Sequence, residues 1–119
     1  MTKNQNYDLE ERTTEFSESV INLTKKWPKN EISLPIIGQL IRAATSIGAN
    51  YCEANGASSK KDFANKISIS KREAKETQYW LRLLAKTSKD IMMVDECRKN
   101  WQEAKELSLI FSKIVISSK

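Results

Sequence analysis

"QLIRAATSIGANYCEA", Gln39 to Ala54, holds one cation and one anion in a 119-residue chain that is 29% charged. Its apolar residues recur at helical spacing. With Ile36 just ahead of them, Leu40, Ala43, Ala44, Ile47, Tyr51 and Ala54 lie along one broad face, which reads as core. Gln39, Arg42, Ser46, Asn50 and Glu53 share a second arc, about 80° wide at about 100° per residue. A solvated helix face ordinarily carries several Lys and Glu, yet residues 32–59 contain only Arg42 and Glu53 as charges. The polar stripe therefore reads as covered. Gly38, Thr45, Gly48 and Ala49 keep the surface beside it low and admit another helix closely, although an interior Gly costs about 1 kcal/mol relative to Ala.

The same periodicity extends outward from this segment. Upstream, Leu9, Phe16, Val20, Leu23 and Trp27 predict a helix over about 8–27, ended by Pro28. "PKNEIS" is turn material, and Ser33 is the expected N-cap of a second helix over 34–54, with Leu34 and Pro35 in its first turn. Downstream, "NGASS" supplies Gly56 to end that helix, and Ser59 with Asp62 resembles a capping box. A third helix over 60–89, about 45 Å long, would bury Phe63, Ile67, Ala74, Leu81, Leu84 and Ala85. "KDIMMVD" turns the chain into a fourth over 95–116 that packs Cys97, Trp101, Ala104, Leu107, Phe111 and Ile114. With three Gly and two Pro, short connections are implied. The expected fold is all-α, one antiparallel up-and-down four-helix bundle spanning 1–119, long enough to bury a core without disulfides or metals.

Composition removes much chemistry. There is no histidine, hence neither the commonest general base nor the commonest zinc ligand. Cys52 and Cys97 fall in separate predicted helices without C-x-x-C spacing and read as buried free thiols. No phosphate-cradling glycine loop or nucleophile elbow is present. "MTKNQNYDLEERTTEF" has no apolar signal core, and no apolar run approaches the roughly 20 residues of a membrane span. The chain reads as a cytoplasmic, non-enzymatic protein with no catalytic residue, no cofactor, no metal and no membrane partner.

Two surfaces remain to be explained. On helix three, Glu73 and Glu76 share an arc with Ile69, Trp80 and Leu83, away from the core stripe. A buried Arg42 would need a carboxylate, because an uncompensated buried charge is costly. A lone bundle has no use for a second partly apolar face, so Arg42, Ser46, Asn50, Glu53, Ile69, Glu73, Glu76, Trp80 and Leu83 read together as an oligomer interface, where aromatics and Arg are enriched. Spacing leaves open whether the stripe on helix two meets its own chain or a neighbour's. A catalytic carboxylate pair is poorly served here, with the two acids three apart on one helix and no metal partner or glycine loop nearby.

Charge marks the other surface. Residues 60–89 contain nine Lys or Arg against three Asp or Glu, a net +6 in a chain whose total is +5. Lys71, Lys75, Arg82, Lys86 and Lys89 project within about 60° of one another, with Lys60 near the same line and Lys61 beside it. Such a ridge can follow a phosphate backbone, RNA or DNA, by counterion release without reading bases. It could equally hold an acidic protein partner.

The residues also resemble a known family, the four-helix-bundle 23S rRNA intervening-sequence proteins, related to the accessory proteins of diversity-generating retroelements. The resemblance lies in "YDLEERTTEF" of helix one, "LIRAATSIGANYCEA" of helix two and "SSKKDFANKISISKREAKETQYWLRLL" of helix three. It implies a small bacterial protein that assembles as a homopentameric barrel of bundles with a positively charged surface and no enzymatic activity. Arg42, Asn50, Glu53, Glu73 and Glu76 match the family's polar positions. Relatives often carry arginines after "SIGANY", where this chain has Cys52 and the neutral "NGA". Nucleic-acid contact is therefore expected on helix three.

Overall fold

Four helices account for most of residues 5–117, the part of the chain that the computed structural model describes: α1 Gln5–Lys26, α2 Ser33–Asn55, α3 Lys60–Ala85 and α4 Ile91–Ser117. Among these residues there is no strand. Residues 1–4 and 118–119, part of the expected domain, lie outside the described residues. The connections are short, and each helix packs on two others: α3 along both α2 and α4, and α1 against α2 and, more sparsely, α4.

The loops explain where sequence and structure part. At α2 the capping residue is Asn30, not Ser33. Asn30 Oδ1 accepts from the N–H groups of Ile32 and Ser33, each at 2.9 Å, and its carbonyl accepts from Leu34. Ser33 is instead the third-position partner: its Oγ accepts from Asn30 N at 3.0 Å and donates to the Pro28 carbonyl at 2.7 Å. Ser59 does cap α3, accepting from Asp62 N at 3.0 Å.

Helix three is shorter than expected and helix four longer. α3 stops at Ala85 after 26 residues, about 39 Å, and α4 begins at Ile91. Asp90 sets that start, its Oδ1 accepting from Met92 N and Met93 N. Thr87, just past α3, accepts from Trp27 Nε1 at 2.8 Å and thereby ties the turn to the end of α1.

The core runs through all four helices. Leu9, Phe16, Val20 and Leu23 of α1 and Trp27 just past its end are buried, as are Leu40, Ala44, Ile47, Tyr51 and Ala54 of α2. Ile37 occupies the place expected for Ile36, which is half-buried at the edge. Phe63, Ala85, Trp101 and Ile114 likewise sit at the rim instead of the centre. Tyr51 meets Phe111 of α4 with ring centroids 5.9 Å apart.

Several hydroxyls are buried with these residues, and all are satisfied. Thr13, Thr24 and Thr77 donate to carbonyls of their own helices. Ser70 Oγ crosses from α3 to the Ile47 carbonyl of α2 at 2.9 Å, a bond that only closely approached backbones allow. Gly48 serves the α1 side of α2, since a Cβ there would sit 3.0 Å from Thr13 Oγ1 and 3.2 Å from Thr13 Cβ. Where α1 faces α4, ion pairs supplement the apolar seam. Arg12 grips Glu103 with two bonds of 2.7 Å, which raise its guanidinium pKa above the ordinary value, and Lys26 meets Glu96 at 2.7 Å.

Candidate nucleic-acid interface and the polar face beside it

Arg42 finds its carboxylates on its own chain. Nη1 donates to Glu73 Oε2 at 3.2 Å, Nη2 donates to Glu76 Oε2, and Nε donates to Gln39 Oε1 at 3.1 Å. Trp80 Nε1 donates to the same Glu76 oxygen at 2.8 Å, so one carboxylate orients an arginine and an indole together. The Arg42 side chain is 46% exposed while that of Glu73 is 11% exposed. The buried partner is thus the acid, not the arginine as expected. Electrostatically this suits a planar guanidinium at the water boundary, capping a carboxylate beneath it.

The rest of the stripe is open within one chain. Gln39 and Glu53 are exposed, Ser46 and Asn50 half-buried, and the latter two donate to carbonyls one turn back in α2. Glu53 accepts from Lys66 at 2.8 Å, which raises the Lys66 pKa. Among the described residues α2 runs alongside α1 and α3 and meets α4 across the core through Tyr51, which leaves the side bearing the polar stripe uncovered within a single chain. Gly38 borders open space, with nothing within 4 Å of a Cβ placed there. Ile69 and Leu83 are half-buried beside Glu73 and Glu76 without joining the core cluster. The sequence-predicted residues of this face are therefore neighbours along the α2–α3 seam, partly engaged with one another and partly unclaimed.

The basic ridge follows the outer side of α3. Lys60, Lys61, Lys75, Arg82, Lys86 and Lys89 are exposed and Lys71 is half-buried. Lys60 to Arg82 stand on the helix, Lys86 caps its end, and Lys89 lies in the turn beyond, since α3 stops at Ala85. With α3 about 39 Å long and the molecule 45 Å in its longest dimension, the ridge runs nearly end to end. None of these seven cations is in an ion pair among the described residues; Arg12, Lys26, Arg42 and Lys66 hold the pairs that exist there. Their charge faces solvent uncompensated.

Two residues of α4 that the sequence reading did not place on this surface adjoin the ridge. Arg98 of α4 lines a hollow with Arg82 and Lys86, and Trp101, read as core, is half-buried along its wall. Val94, Cys97, Arg98 and Trp101 at steps of three, one and three share one side of α4, which was the available signal; only the register of α4 against α3 shows what they meet. The two cysteines differ. Cys97 is buried, and desolvation pushes its thiol up to about 12, whereas Cys52 is exposed, contrary to expectation. No helix among the described residues is long and apolar enough to cross a membrane.

Comparison with known proteins places this geometry in context. The family model described as "23S rRNA-intervening sequence protein" matches residues 5–113. A crystal structure of a protein of unknown function, from the S23 ribosomal protein family of Bacteroides thetaiotaomicron VPI-5482, is 30% identical. It superposes with a TM-score of 0.82 over 94% of this chain and 98% of its own. No curated protein matches.

Proposed function

The chain belongs to the 23S rRNA-intervening sequence protein family, and we propose that it acts as a non-enzymatic, oligomeric bundle that binds RNA or DNA through the basic ridge of α3. The carrying observation is that Lys60, Lys61, Lys71, Lys75, Arg82, Lys86 and Lys89 line one side of the molecule without an ion pair among the described residues. A row of solvated, uncompensated cations gains affinity for a polyanion by releasing condensed counterions. A cytoplasmic location goes with this reading.

Assembly multiplies the ridge. Ile69, Trp80 and Leu83 leave apolar surface beside the Arg42 network, and a low, weakly charged α2 surface adjoins them. A neighbouring copy on this face, in the homopentamer that the family resemblance implies, would bury it and repeat the basic surface around the ring.

An adaptor for an acidic protein partner is the second reading. It is favoured by Ile91 and Met92, 76% and 78% exposed, which stand beside Lys86 and Lys89 at one end of the bundle and fit an acidic segment with apolar side chains. Fluorescence anisotropy of labelled RNA and DNA separates the two. The triple variant Lys75→Glu, Arg82→Glu, Lys86→Glu is expected to lose binding while a matched reversal at Lys25, Lys99 and Lys113 keeps most of it. Equal loss in both, or no binding by the native protein, favours the adaptor.

A further inference from the structure

We infer that the groove between α3 and α4 receives an unpaired base of a single-stranded nucleic acid against Trp101, with the flanking phosphates on Arg82, Lys86 and Arg98. This inference rests on the ridge reading and specifies which form of nucleic acid the ridge serves.

The groove has a volume of about 410 Å³ and its walls divide by chemistry. Ala85, Val94 and Trp101 present apolar and aromatic surface, while Arg82, Lys86 and Arg98 supply three cations, and no acidic residue lines it. None of the three cations is in an ion pair among the described residues. A purely apolar ligand would leave those charges unanswered, and a small inorganic anion would leave the indole and aliphatic walls wet. A nucleotide presents a flat π-face and a phosphate together, and answers both.

Position favours a strand over a free nucleotide. Arg82 and Lys86 belong to the ridge and to the groove, so a backbone following the ridge passes the groove's mouth. Beyond it a second hollow continues past Lys86, Lys89 and Arg98 around the end of α3, three cations against the one carboxylate of Asp95 in its wall. Lys105 approaches the Trp101 ring at 5.7 Å from the following turn of α4, whereas the groove's other α4 residues all precede Trp101.

Charge alone would favour duplex, whose phosphates are denser than those of a single strand. A preference for single strand therefore reports the base site. The test uses the full chain with a short fluorescein-labelled oligouridylate and a labelled RNA duplex of equal length, read by anisotropy at one low salt concentration. The native protein is expected to bind the single strand about tenfold more tightly than the duplex. Trp101→Leu is expected to lose about that factor for the single strand and little for the duplex, and Arg82→Glu to weaken both.

Equal affinity of the native protein for both probes overturns the inference without any variant, and so does a folded Trp101→Leu protein with native single-strand affinity. If both probes bind alike and the ridge variant loses both, the groove fails and the ridge stands. Binding to neither overturns both.

Discussion

Arg42 and Glu73, on facing helices, form an ion pair whose acidic end is the buried one: the guanidinium donates at 3.2 Å to a carboxylate whose side chain is 11% exposed. Removing Arg42 leaves Glu73 dehydrated without its cation. Arg42→Ala is expected to lower unfolding stability by about 2 kcal/mol, discounted from a fully buried pair because Arg42 itself is half in water. Urea denaturation checks this. Arg42→Glu should cost more, by placing a third carboxylate beside Glu73 and Glu76, and is therefore a poor probe of assembly.

The two interior glycines of α2 should respond oppositely to a methyl group. Gly38→Ala enters open space and should stabilise by about 0.5–1 kcal/mol through helix propensity alone. Gly48→Ala places its Cβ 3.0 Å from Thr13 Oγ1, a fully buried side chain whose hydroxyl is tied to the Glu10 carbonyl, so Thr13 must give way by a few tenths of an ångström against that bond. Its urea midpoint should fall below that of the native protein.

Assembly is best tested where the fold has least at stake. Ile69→Glu with Leu83→Glu alters half-buried residues outside the core cluster. The double variant should keep its helical circular dichroism and shift to a smaller mass in light scattering. A native mass would remove this face from the assembly.

Cys97 gives a pH dependence with a defined sign. Burial raises its folded thiol from an ordinary value near 9 to about 12, so the neutral form is the one the fold prefers. This contribution is fully present below pH 9 and is lost as pH climbs towards 12, because the unfolded thiol ionises first. Cys97→Ala should flatten that alkaline decline in thermal denaturation. With an aromatic disulfide reagent at neutral pH, the native chain should yield one fast thiol, exposed Cys52, and release the second only on unfolding.

Periodicity made the four helices legible because each core stripe repeats within one helix: Val20 and Leu23, or Leu81 and Leu84, need no partner to be recognised. Ser59 was readable as a cap for the same local reason. Asn30 was not, because the N-x-x-S box can be read from either member, and Ser33 is the more familiar cap. The end of α3 was misplaced because Lys86 to Lys89 contain neither Gly nor Pro, and the stop depends on Thr87 meeting Trp27 and on Asp90 capping α4.

Among the candidate surfaces, the ridge was legible for being the outer stripe of one helix. The pairing of Arg42 with its own chain and the meeting of Arg98 with Arg82 and Lys86 were not. Both depend on the register of one helix against the next, which no periodicity within a helix specifies. Exposure of Cys52 escaped for a related reason: which side of α2 stays bare is decided by where α1 and α3 pack.

The most direct measurement is the salt dependence of RNA binding by the full chain, with anisotropy recorded from low to physiological ionic strength. With about five ridge cations meeting phosphates of a single strand, the logarithm of the association constant should fall against the logarithm of salt with a slope of about −3 to −4. The slope should shrink by about 0.7 for each ridge cation removed. A flat response, or a slope unaltered by removing Lys75 and Lys86, would contradict the account of α3 as a polyanion-binding ridge.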